Sequence, residues 1–140
     1  MAVHIRDDGV FDAPIEKLWK YLNDAPSHQH GAFRVTKVLE QKGNVLTIMA
    51  DIEGPKGFAN EKMVMTMNPP KGFDLEYLTG GMKGTKFAHT YTPQGEKTRV
   101  VVEGDFVNPP GVSDANVRRA QLAYFEKVFR EDNAALKKYK

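Results

Sequence analysis

Five polar side chains that could transfer protons or hold a bound molecule stand in stretches that are otherwise apolar. They are Glu61, His89, Tyr91, Gln121 and Asp132. Carboxylate, imidazole and phenol groups are common general acids and bases in enzymes. The same groups, placed sparingly among apolar residues, also orient ligands in binding pockets. The residue types support both roles and do not separate them.

The first of these groups begins an apolar strand face. Glu61 shares that face with Met63 and Met65, because side chains two positions apart point to the same side of a strand. Methionine thioethers adapt to irregular volume, so the face is either a filled core or a pliable pocket wall. Glu61 accordingly lies either at a pocket mouth or at the exposed start of the strand.

A second predicted strand places Phe87, His89 and Tyr91 on one face. A single histidine among aromatic residues is either a hydrogen-bonded core residue or a functional group. Both interpretations direct the imidazole toward the interior of the protein.

The C-terminal segment has the apolar periodicity of a helix laid on a sheet, with Tyr124 and Phe125 on the apolar side. Gln121 and Asp132 interrupt that side. Burying either of them without a partner would cost about 1–3 kcal/mol. They therefore either meet polar groups of the sheet or lie beyond its edges, or they line a wet or ligand-filled cavity.

The sequence lacks the residues that several other kinds of chemistry need. The chain has no cysteine and only two serines, Ser27 and Ser113, of which Ser113 is better explained as a helix cap. Acyl transfer through a nucleophile is therefore not expected. His28 and His30 would point to opposite sides of a helix, and no third ligand follows at helical spacing, so we predict a pocket rim there rather than a metal site. No phosphate-binding glycine motif occurs, and we expect no cofactor.

Composition limits the partners and the location. The 140 residues include 20 basic and 18 acidic side chains, for a net charge of +2. This balance gives no reason to expect nucleic-acid binding. The N-terminus is too polar for a signal peptide, and no apolar run is long enough to span a membrane. Together with the absence of cysteine, this predicts a cytoplasmic protein.

The order of elements follows from turn residues between apolar stretches. We predict a strand with a bulge at Gly9, a helix started by Pro14, a second short helix, six further strands and a long helix. The predicted strands are Val3–Phe11, Phe33–Gln41, Val45–Ile52, Phe58–Asn68, Phe73–Thr79, Thr85–Thr92 and Thr98–Val107. The short helices cover Pro14–Asp24 and Ala25–Gly31, and the long helix runs from Ser113 or Asp114 to Tyr139.

This order, with Ala13-Pro14 before Leu18-Trp19, and with Gly95-x-x-Thr98-Arg99-Val100 entering the last strand, resembles the helix-grip superfamily. That superfamily (SRPBCC) contains START-related lipid-transfer proteins, polyketide cyclases and pollen-allergen-like ligand carriers. The resemblance covers essentially the whole chain. It implies a single α+β domain over residues 1–140, with a seven-stranded curved antiparallel sheet wrapped around the C-terminal helix and a cavity between them.

Three functions are compatible with the resemblance. The leading one is a carrier or sensor of a small hydrophobic molecule, such as a lipid, polyketide or aromatic compound. The second is a cofactor-free cyclase or dehydratase, and the third is a protein-interaction module, with a homodimer as one form of it. The predicted ligand-binding residues are Glu61, Met63, Met65, Phe87, His89, Tyr91, Gln121, Tyr124 and Phe125, with His28 and His30 at the rim.

Overall fold

Seven antiparallel strands and one long helix make up most of the structure. The computed structural model describes residues 2–24, 33–54 and 57–139. In chain order the elements are β1 (Ala2–Phe11), α1 (Ile15–Leu22), β2 (Phe33–Lys42), β3 (Val45–Gly54), β4 (Gly57–Asn68), β5 (Gly72–Tyr77), β6 (Lys86–Gln94), β7 (Lys97–Val107) and α2 (Asp114–Lys138). The predicted curved sheet and long C-terminal helix are confirmed. The second short helix predicted at Ala25–Gly31 lies outside the described residues.

The sheet is a meander completed by the first strand. From β2 to β6, each strand pairs with the strand that follows it in sequence. Strand β1 pairs with β7, which gives the order β1-β7-β6-β5-β4-β3-β2. Helix α2 packs on the inner face, where the ring of Phe125 lies 6.2 Å from Phe87 and 5.7 Å from Phe106. The aromatic residues of β6, β7 and α2 thus form the centre of the core.

Helix α1 is short and attached by its apolar face. Its side chains Ile15, Leu18, Trp19 and Tyr21 are buried. The indole Nε1 of Trp19 donates a hydrogen bond to the carbonyl oxygen of Pro70, 2.9 Å away, in the turn between β4 and β5. A single turn or two of helix is marginal alone, so this packing holds α1 in place.

Gly9 serves a different purpose from the one predicted. The pairing of β1 with β7 is continuous from Ala2–Val107 to Phe11–Thr98, so the predicted bulge at Gly9 is wrong. A Cβ atom at Gly9 would lie 2.7 Å from the ring of Phe129 on α2. The glycine is needed because the helix approaches the strand closely there. The pairing of β1 with β7 contains no extra residue at this position.

The start of α2 is capped as expected. Ser113 has an extended backbone, and its side chain accepts a hydrogen bond from the backbone N–H of Asn116. Such a cap satisfies one of the donors that a helix start leaves unpaired. The helix then runs to Lys138 and places Val117, Phe125 and Leu136 in the core.

Candidate functional site

A cavity of about 470 Å³ lies between the inner face of the sheet and α2. All the described elements except β3 contribute to its wall. Most of the wall is aromatic or aliphatic, and it includes Phe11, Leu22, Phe33, Phe73, Leu75, Val100, Val102, Leu122, Val128 and Phe129. Rings and branched side chains from six strands and two helices therefore line one common volume.

The structure brings seven of the predicted ligand-binding residues together on this wall. They are Met63, Met65, Phe87, His89, Tyr91, Tyr124 and Phe125. Glu61 and Gln121 are not among the lining residues, and His28 and His30 lie outside the described part of the chain. The alternation of β4 and β6 and the apolar side of α2 thus point to a common volume.

Glu61 lies at the turn that follows β5. Its Oε1 accepts a hydrogen bond from the hydroxyl of Thr79 at 2.9 Å, and its carboxylate packs against Gly80. The pairing of β4 with β5 begins only at Met63, opposite Tyr77. Glu61 therefore shares the face of Met63 but extends beyond the end of β5, where it holds the turn.

Gln121 also contacts the segment between β5 and β6. Its Nε2 lies 3.8 Å from the sulfur of Met82, at the distance of a weak hydrogen bond, and the side chain is partly buried. The side chain thus meets a thioether of the loop and not a polar group of the sheet.

Asp132 both has a hydrogen-bond partner and lines the cavity. The side chain is 4% exposed, and its Oδ1 accepts a hydrogen bond of 2.8 Å from the hydroxyl of Tyr21. The sequence suggested a polar contact with the sheet, a place beyond its edges or the cavity wall, and the bond from Tyr21 comes from α1. The signal in the sequence for this bond is the tyrosine near the end of α1.

Changing Tyr21 to phenylalanine should destabilise the protein by about 2 kcal/mol, because a hydrogen bond to a buried carboxylate is lost. Urea unfolding followed by circular dichroism measures this change. Tyr139→Phe is the matched control, because its hydroxyl donates to Asp24 at a more exposed position. Equal unfolding midpoints for the two variants would show that the bond to Asp132 stabilises the protein no more than the more exposed bond to Asp24 does.

Three phenols of the wall are available to a bound molecule. The side chains of Tyr77, Tyr91 and Tyr124 line the cavity, and their hydroxyls form no hydrogen bond with any other described residue. Burial raises the pKa of all three, and for Tyr77 the nearby charge of Glu61 adds to burial and the pKa reaches about 12. At neutral pH the three hydroxyls are therefore protonated and can donate hydrogen bonds.

These raised pKa values predict a loss of stability in alkali. The folded state keeps its phenols neutral above the pKa of 10 that they have when unfolded, so their contribution is complete below pH 10. It is lost as the pH rises through the folded value, which for Tyr77 is about 12. Urea midpoints measured from neutral pH upward should begin to fall near pH 10.

The ultraviolet absorbance of tyrosinate, recorded on the same samples, should rise together with unfolding. Tyr77→Phe should make the fall of the urea midpoint with pH shallower, because one group with a raised pKa is removed. Ionisation of every tyrosine near pH 10 without any loss of stability would contradict the expectation.

His89 lies among aromatic rings in the cavity wall. Its imidazole stacks on Phe73 with ring centroids 4.4 Å apart and planes 12° from parallel, and it lies 6.5 Å from the ring of Tyr91. It is the only histidine among the described lining residues. An imidazole so placed can exchange a proton or a hydrogen bond with a molecule in the cavity.

Two features were sought in residues 2–24, 33–54 and 57–139: a cluster of metal-binding side chains and a membrane-spanning helix. Across these residues, no three histidine or acidic side chains gather closely enough to hold a metal ion. Neither described helix combines the length and apolar character needed to cross a membrane.

Solved structures with little sequence in common share this architecture. Zhui aromatase/cyclase from Streptomyces sp. R1128 matches with a TM-score of 0.72 at 14% identity, over 97% of this chain and 92% of that chain. A START superfamily protein from Mycobacterium smegmatis matches at 0.78 and 12% identity, over 98% and 99%. Ara h 8.0201 matches at 0.74 and 9% identity, over 99% of both chains.

These similarities identify the fold. The chain has the helix-grip fold that its sequence predicted. A scan against protein-family models gave no match, and neither did a comparison with curated proteins.

Proposed function

We propose that this helix-grip protein binds a small, mainly apolar molecule in the cavity between the sheet and α2. The observation that carries the proposal is the cavity itself, with a volume of about 470 Å³. Small-molecule sites typically measure roughly 300–1,000 Å³ and combine apolar walls with a few placed polar groups. The hydroxyls of Tyr77, Tyr91 and Tyr124, with His89 and Asp132, supply those polar groups.

The cost of unfilled volume favours a cavity that binds a ligand over a cavity left by imperfect packing. Apolar volume left unfilled between packed elements costs stability, because the side chains around it lose contacts. Larger side chains at wall positions would remove that cost. The wall instead leaves the volume unfilled and includes tyrosine hydroxyls. Both features are typical of a ligand-binding site.

Binding can be tested with the uncharged fluorophore N-phenylnaphthylamine and with native mass spectrometry of the purified protein. We expect saturable binding with one molecule per chain, displacement by apolar compounds, and an added mass when the protein is incubated with a lipid extract. A protein that shows neither fluorescence enhancement nor any added mass would contradict the proposal.

A second candidate function is cofactor-free proton-transfer catalysis, such as cyclisation or dehydration of a polyketide-like substrate. The specific observation is that His89, Tyr77, Tyr91 and Tyr124 line the same cavity, and that the three hydroxyls bond to no described residue. A positioned acid or base typically accelerates such steps by about 10²–10⁴-fold. The similarity to an aromatase/cyclase is one of fold and adds a reason to look for this chemistry.

The test is turnover of a short poly-β-ketone by the wild type and by His89→Ala and Tyr91→Phe. If the protein is an enzyme, turnover should fall about 100-fold in the variants while binding of the substrate changes little. Glu96→Gln is the matched control, because its carboxylate is exposed in the turn between β6 and β7 and outside the cavity wall. An equal loss in Glu96→Gln, or full activity in the other two, would contradict these roles.

A further inference from the structure

The phenols in the cavity wall define the ligand more narrowly. We infer that the bound molecule is elongated and carries a hydrogen-bond acceptor, such as a carbonyl oxygen, at each end. One end accepts from Tyr91, and the other accepts from Tyr77 and Tyr124. The inference rests on the proposed function, since it assumes that the cavity binds a ligand. It adds the kind of polar group on that ligand and the separation of the two groups.

The backbone register places Tyr77 and Tyr91 at opposite ends of the β5–β6 pair. The N–H of Tyr77 donates to the carbonyl oxygen of Thr85 at 2.9 Å, just before β6 begins, and the N–H of Tyr91 donates to Lys71 at 2.7 Å. Thr85 and Tyr91 are six positions apart, which corresponds to about 20 Å measured along the strand. Both tyrosines line the cavity, so the cavity has one phenol toward each end of this strand pair.

Aromatic rings form the wall between these two phenols. The ring of Tyr77 lies 6.4 Å from Phe87, and the ring of Phe87 lies 5.6 Å from His89. His89 in turn lies 6.5 Å from Tyr91. All four rings line the cavity. A continuous row of rings packs well against a flat, apolar body, so the middle of the ligand should be apolar or aromatic.

Tyr124 adds a donor near the Tyr77 end. Its ring lies 6.1 Å from Phe125, and Phe125 lies 6.2 Å from Phe87, the ring next to Tyr77. At the other end, Trp19 of α1 lies edge-on to Tyr91 at 5.5 Å. Tyr124 is therefore grouped with Tyr77, whereas Tyr91 lies at the end that α1 covers.

The three hydroxyls need acceptors from the ligand. None of them bonds to another described residue, and Tyr91 is only 6% exposed. Burial raises the pKa of all three, so they keep their protons at neutral pH. Buried donors without an acceptor are rare in folded proteins, rarer than acceptors without a donor. A carbonyl oxygen at each end of the ligand would satisfy them.

The test compares three biphenyls of the same length: 4,4′-diacetylbiphenyl, 4-acetyl-4′-ethylbiphenyl and 4,4′-diethylbiphenyl. Each displaces N-phenylnaphthylamine from the wild-type protein, and its affinity follows from the displacement curve. We expect each carbonyl to strengthen binding about fivefold, the usual net effect of one hydrogen bond. A cavity that selects only for apolar surface would bind them in the opposite order, because the hydrocarbon gains most from leaving water.

The separation of the donors is tested with 1,4-diacetylbenzene and 4-ethylacetophenone, which carry the same groups on one ring. The shorter diketone can reach only one end of the cavity at a time. Its second carbonyl should therefore strengthen binding no more than about twofold. A gain equal to that in the biphenyls would show that the donors lie close together and would overturn the separation inferred from the register.

Tyr91→Phe removes the donor at one end and keeps the ring. Affinity for 4,4′-diacetylbiphenyl should fall about fivefold, while affinity for 4,4′-diethylbiphenyl stays the same. The double variant Tyr77→Phe/Tyr124→Phe should have the same effect from the other end. Tyr139→Phe is the matched control, because Tyr139 lies outside the cavity wall and its hydroxyl donates to Asp24. If the double variant does not fold, Tyr91→Phe and the ligand series still decide the outcome.

The results separate the two proposals. Binding of the diethyl compound as tightly as the diketone would overturn the inference and leave the apolar binding function intact. A preference for the diketone that is unchanged in Tyr91→Phe and in the double variant would overturn the assignment to these phenols. If N-phenylnaphthylamine and all three biphenyls fail to bind, the proposed function itself is wrong.

Discussion

Replacing Gly104 with alanine should destabilise the folded protein by about 3 kcal/mol, the upper end of the usual cost of an overpacked site. Gly104 lies opposite Phe87 in the pairing of β6 with β7. A Cβ atom there would collide with the carbonyl oxygen of Lys86 and with Cα and Cβ of Phe87. Backbone atoms of a central strand cannot turn aside as the end of a side chain can, so the two strands would have to separate.

The measurement is urea unfolding followed by the fluorescence of Trp19, the single tryptophan of the chain. Gly81→Ala is the matched control, because a Cβ at Gly81 meets only ordinary contacts of 3.5 Å with Pro109 and Pro110. Its unfolding midpoint should stay close to that of the wild type. If Gly104→Ala is as stable as Gly81→Ala, the close approach of β6 to β7 does not constrain the sheet.

Filling the cavity should abolish most ligand binding without unfolding the protein. Leu122 projects from α2 into the cavity wall and is partly buried. A tryptophan there would occupy volume that a ligand needs, so Leu122→Trp should weaken binding of N-phenylnaphthylamine at least about tenfold. Because the larger side chain buries apolar area in an open space, the stability of the protein should be unchanged or slightly higher.

Isothermal titration calorimetry measures the affinity of the variant. Leu39→Trp introduces the same side chain at a position on β2 that is 43% exposed and outside the cavity wall, and it should bind the fluorophore like the wild type. Unaltered affinity in Leu122→Trp would mean that the fluorophore binds elsewhere on the protein.

Much of the architecture could be predicted from local patterns. The turn residues between apolar stretches indicated each described strand to within a few positions, and Ser113 marked the start of α2. The strand alternation also indicated the inner faces correctly at Met63 and Phe87, both of which are buried. These features depend on residues close together in sequence, whose periodicity the backbone geometry imposes.

The same periodicity does not decide the role of residues whose surroundings depend on distant strands. Glu61 and Met63 share a face of β4, yet only Met63 lines the cavity, because β5 begins to pair with β4 at that point. At Gly9 a bulge was expected, and the close approach of Phe129 from α2 explains the glycine instead. A pattern within one strand reports which way a side chain points but not which element it meets.

The sequence by itself determined the order of elements and their inner faces, since each depends on local geometry. Only the tertiary structure decided the volume of the cavity. It also joined Tyr21 to Asp132 across 111 positions of the chain. The physical reason is that cavity volume and buried hydrogen bonds depend on the distances between elements, which curvature of the sheet and packing of α2 set together.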